Sequence, residues 1–99
     1  MTHDCGWIDL LRADGSGTLA RGHLLVSGIP QPQEPWRGYL DSLHLAPAVS
    51  EVAAGEYLIG FAPGLQRLRV HVEVTDGRAA VCGEAGELPA RLVELAEGE

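Results

Sequence analysis

The chain has no lysine and no asparagine. Its seven cationic side chains are all arginines, set against fourteen carboxylates, for a formal charge of −7. That shortage of positive charge argues against a nucleic-acid binder, because phosphate recognition needs a dense cationic face. Docking on an anionic membrane surface is disfavoured for the same reason. Lysine and asparagine codons are A/T-rich, so this bias is what GC-rich bacterial coding produces and says nothing of mechanism.

Cysteine is scarce too. Cys5 and Cys82 are the only two, where a secreted disulfide scaffold of this size carries four or more. Free thiols and a cytoplasmic setting are expected. No stretch approaches the roughly 20 apolar residues of a membrane span. The opening MTHDCGWIDLLRADG lacks the cationic flank and apolar run of a signal peptide. Aromatics make up only 5% of the chain, too few for a base-stacking platform.

Catalytic and metal signatures are missing as well. No serine sits in a Gly-x-Ser-x-Gly elbow. There is no Cys-x-x-Cys and no His-x-x-x-His, and His3-x-Cys5 alone does not make a zinc site. Gly15-Ser16-Gly17 and the glycines around Glu84 precede no lysine, so neither is a phosphate loop. No cofactor and no metal are expected.

What remains is a pattern of strands. Ninety-nine residues suffice for one domain with one core, burying roughly 65% of the unfolded surface. Asp14-Gly15, Pro63-Gly64 and Asp76-Gly77 are turn signals. Between Arg67 and Val74, apolar and polar residues alternate for eight positions, the period of a half-buried strand. Tyr57, Ile59 and Phe61 share a face before it, and Arg78–Cys82 returns after it. Trp7–Arg12 and Thr18–Ser27 form a first hairpin, and Trp36–Leu45 is a further strand whose period slips near Asp41-Ser42, the mark of a bulge. Ala46–Ala54 has room for one helical turn. A C-terminal helix is expected from Pro89, with Leu88, Leu92, Leu95 and Ala96 at helical spacing. The expected fold is a small antiparallel barrel or sandwich of five to six short strands built from hairpins, with at most that one helix.

Two segments stand apart. Residues 28–35 form a proline-rich loop, and residues 84–99 carry five glutamates against the single Arg91. The first 82 residues hold nine acids and six arginines, a net of −3, so most of the negative charge belongs to the tail. A charge run of that kind is ordinarily a solvated face.

Candidate site residues divide between two readings. In the first, the chain is a small non-catalytic protein-interaction or regulatory module. Ile29, with Trp36 and Arg37 directly after the proline-rich loop, and an uncovered sheet edge then meet a protein partner or a second copy, since Trp and Arg dominate binding energy at interfaces. In the second, His23, His44, Arg69 and His71 converge at the mouth of a hollow barrel and bind a small ligand or act as a minimal enzyme, which needs a pocket of roughly 300 Å³ or more.

Overall fold

The computed structural model describes residues 2–28, 33–61, 66–76, 78–84, 88–89 and 92. Six strands follow in order: β1 (Thr2–Arg12), β2 (Thr18–Ser27), β3 (Trp36–Leu45), β4 (Gly55–Phe61), β5 (Gln66–Thr75) and β6 (Arg78–Gly83). All neighbours are antiparallel, and the sheet closes into a barrel in the order β1-β2-β3-β6-β5-β4. The fold is therefore two three-stranded meanders, joined along β1–β4 and β3–β6. Closure leaves no global sheet edge, which removes the usual liability of a small β protein.

Alternation builds the interior. Ile8, Leu10, Leu24, Ile59, Val70, Val72 and Val81 point inward from five strands and are buried. Burying each such side chain contributes about 1.5–3 kcal/mol. No polar or charged residue is buried among the described residues. The interior is filled with hydrocarbon, as expected of a barrel this narrow.

The ends are closed locally. The segment from Ala46 to Ala54 crosses from β3 to β4. Ala46 N–H donates to the Leu19 carbonyl at 2.9 Å, and the Tyr57 hydroxyl donates to the Ala53 carbonyl at 2.6 Å. Val52 packs from this crossover onto the core. Its only backbone hydrogen bond within Ala46–Val49 is one turn, Val49 N–H to the Ala46 carbonyl, in place of a helical turn. From the C-terminal segment, Leu92 is fully buried in the core and its N–H donates to the Pro89 carbonyl at 2.9 Å. The rest of the helix expected there, and the turn at Pro63-Gly64, lie outside the described residues.

Two details depart from the sequence reading. β1 begins at Thr2 rather than Trp7, because Thr2, His3 and Asp4 pair with Ser27, Val26 and Leu25 of β2. The Asp14-Gly15 hairpin is not a two-residue primed turn. Arg12 N–H reaches the Gly17 carbonyl, and only Gly15 of that turn has positive φ, at 76°. The bulge near Asp41-Ser42 is present: the β2–β3 register shifts between Arg21 and His23, and Ser42 takes a φ of 55°.

Candidate functional site

Two clusters of polar side chains stand on the outside of the barrel, one on β1, β2 and β3 and the other running from β4 across β5 and β6 to β3. The first spans β1, β2 and β3. Trp7 pairs with His23 across β1–β2, and Asp9 pairs with Arg21. On the other side of β2, His23 pairs with Asp41 and Arg21 with His44. Trp7 shares its face with Asp9, while Ile8 between them and Leu10 after them point inward, so the indole is exposed. The His23 ring meets it edge-on, with centroids 4.1 Å apart, and the His44 ring lies at 5.9 Å. The Arg21 guanidinium sits 5.5 Å from the indole centroid, a cation–π distance.

A bulge completes this cluster. Between Asp4 and Trp7 the β1–β2 register shifts, and Gly6 adopts a φ of 85°. The shift turns both Asp4 and Trp7 toward His23. His23 Nδ1 lies 3.1 Å from both Asp4 carboxylate oxygens. The Gly6 N–H also donates to Asp4 Oδ1 at 2.7 Å, and this bond is the main reason the Asp4 carboxyl is held below its ordinary pKa.

The second cluster is a single lateral row. Glu56 of β4 pairs with His71 of β5, His71 with Cys82 of β6, and Cys82 with Arg37 of β3. His71 Nδ1–H donates to Glu56 Oε1 at 2.8 Å, and Nε2 is 3.6 Å from Glu73 Oε1. Two shallow clefts, of about 160 and 270 Å³, flank the row, and His71 and Cys82 line both.

The structure redistributes the residues expected from sequence. Trp36 is 1% exposed and belongs to the core, so the expectation of an exposed Trp36 anchor is corrected. β3 starts at Trp36 itself, and the strand's alternation turns its indole inward. Arg37, one residue on, is exposed in the second cluster. Ile29 lies outside the described residues. His23 and His44 meet at Trp7, whereas Arg69 and His71 stand on β5. The four do not converge on one site, and among the described residues the interior is filled by the apolar core. His3 and Cys5 are part of β1, and Cys5 packs against the core.

Trp7 is the residue that sequence reasoning passed over. The signal was its parity with Asp9, which places it outside in a strand whose other face carries Ile8 and Leu10. Among the described residues, no group of three or more His, Cys, Asp or Glu is arranged to hold a metal ion, and no helix is long and apolar enough to cross a membrane.

The fold and site define a small closed antiparallel barrel with a filled core and functional groups on its outer wall. No protein-family model, curated protein or solved structure matches the chain.

Proposed function

We propose that the chain is a non-catalytic protein-interaction module, and that its docking surface is the Trp7 face of β1–β2–β3. The observation that carries this reading is an indole 38% exposed on a strand, braced by His23 and His44 and overlain by Arg21. Large apolar side chains on strands normally turn inward. Trp and Arg side by side at a surface are the composition of an interface hot spot. The bracing histidines reduce the rotamer entropy that binding would otherwise remove. Asp9 and Asp41 lie opposite Arg21 and His23 in the strand pairing and Asp4 contacts His23, so carboxylates outnumber the arginine on this face and the matching partner is a protein surface with an apolar centre and a cationic rim.

The test is site-specific photocrosslinking in the producing cell. A photoreactive residue at Asp9 should give a discrete covalent adduct that Trp7→Ala abolishes, while the same residue at Glu73 gives none. An adduct of twice the chain mass identifies self-association. Failure to find any Trp7-dependent adduct at Asp9 would overturn the proposal.

A further inference from the structure

Two imidazoles stand at the centre of the Trp7 face, and their charge decides how that face meets a cationic rim. His23 of β2 faces Asp4 and Trp7 of β1 and Asp41 of β3, with Arg21 two residues away on its own strand. His44 of β3 faces Trp7 and Arg21. With Asp9 opposite Arg21, three carboxylates stand against one guanidinium while both imidazoles are neutral. Two imidazolium charges balance the face. His23 Nδ1 lies 3.1 Å from both Asp4 oxygens, and a carboxylate only accepts, so the neutral ring carries its proton on Nδ1. The second proton goes to Nε2. The His23 side chain is 28% exposed, so solvent reaches it. Asp4 keeps its charge through the range in which histidines titrate, because the Gly6 N–H holds its carboxyl below the ordinary value. An imidazolium 4.1 Å from the indole and a guanidinium at 5.5 Å then hold the same ring.

We propose that docking at the Trp7 face is gated by pH, with protonation of His23 and His44 releasing the partner. The gate rests on the docking function proposed above for the same face. A cationic rim is drawn by the carboxylates and repelled by each imidazolium. Docking therefore expels the added protons, and by reciprocal linkage binding weakens as pH falls. Histidine is the side chain whose charge changes between about pH 5 and 8, so release belongs to that window. His71 carries the same chemistry on the opposite wall, between Glu56 and Glu73, and lies outside the gate.

The experiment uses the purified full chain with a photoreactive residue at Asp9, photolysed in extract of the producing cell at about pH 8 and about pH 5.5. That replacement removes one carboxylate and leaves the swing of two imidazole charges intact. The Trp7-dependent adduct should fall about fivefold or more at the lower pH. In the His23→Gln/His44→Gln double variant the ratio between the two conditions should stay within about twofold, whatever the yield at the higher pH. His71→Gln should keep the wild-type ratio. A second readout needs no partner. In the chain labelled with fluorotryptophan, the Trp7 fluorine resonance should move across the same pH range, and that of the buried Trp36 should not. His23→Gln should remove most of the movement. Thermal melts at both pH values verify that the variants are folded. An adduct equally abundant in both conditions, the same fall in the double variant, or a Trp7 resonance that ignores pH overturns the gate and leaves docking standing. Absence of the adduct in both conditions overturns docking itself, and the gate with it.

Discussion

Trp36 and Gly83 face each other across the β3–β6 seam, and the indole lies over the glycine where a side chain would otherwise stand. A Cβ at Gly83 would overlap the indole ring itself. The ring is 1% exposed, so it has no open space to move into. The seam that closes the barrel thus rests on pairing the largest side chain with the smallest.

Gly83→Ala should therefore destabilise the fold by about 1–3 kcal/mol, as overpacking does. Trp36→Ala should cost about 3–5 kcal/mol through the cavity it leaves. With the indole removed, the added methyl meets no clash, so the double variant Trp36→Ala/Gly83→Ala should lose less than the sum of its singles. Urea denaturation of the four proteins measures this coupling, and strict additivity would show that the two residues do not share the space.

The two tryptophans should report separate environments. Acrylamide should quench Trp7 and spare Trp36, giving a two-component Stern–Volmer plot. Trp7→Ala should abolish the accessible component and shift emission to the blue. Its stability cost should stay within about 1 kcal/mol, since the indole is partly exposed and its contacts are with solvated rings. A protein unfolded by this change would place Trp7 in the core.

Asp4 supplies an acid-sensitive contact. Its folded pKa is depressed, chiefly by the Gly6 N–H and further by His23. The sign follows from linkage: the contribution is full above the unfolded value near about 3.9 and fades as pH falls through the lower folded value. The carboxylate is largely solvated, so Asp4→Ala should cost less than about 1 kcal/mol at pH 7. The gap between wild type and Asp4→Ala should narrow below pH ~4. Asp4→Asn, which keeps an acceptor for Gly6, should fall between them. Chemical denaturation at several pH values checks the order, and a gap that widens in acid would contradict it.

Ser42 holds a left-handed conformation at the bulge of β3, with φ at 55°. Ser42→Gly should be neutral or stabilising by about 0.5 kcal/mol, since glycine adopts that region without steric cost. Ser42→Val should be destabilising by more than about 1 kcal/mol, because a β-branched residue resists positive φ. Thermal melts of the pair measure the difference, and equal melting temperatures would mean that the bulge relaxes.

Much of this architecture was legible in the residues. The eight-residue alternation from Arg67 to Val74 defined β5, and the turn residues around it delimited β4 and β6. The slip of period at Asp41-Ser42 announced the β3 bulge. These features are local, and backbone sterics and period-two burial act within a few residues. β1 was only half visible. Its first five residues show weak alternation, and they are strand because β2 offers a partner for them.

The site was less legible, and the reason is register. Sequence by itself determined an acidic chain of short antiparallel strands, the approximate positions of most of them, and the charge concentrated after Cys82. Which histidine meets which aromatic depended on the Gly6 and Ser42 bulges, since a shift of one residue sends a side chain to the other face. Only the closed barrel, with its β3–β6 seam, set Arg37 beside Cys82 and sent Trp36 inward over Gly83. Contacts between strands distant in the chain are chosen by what fits across the whole core, and no local pattern encodes that fit.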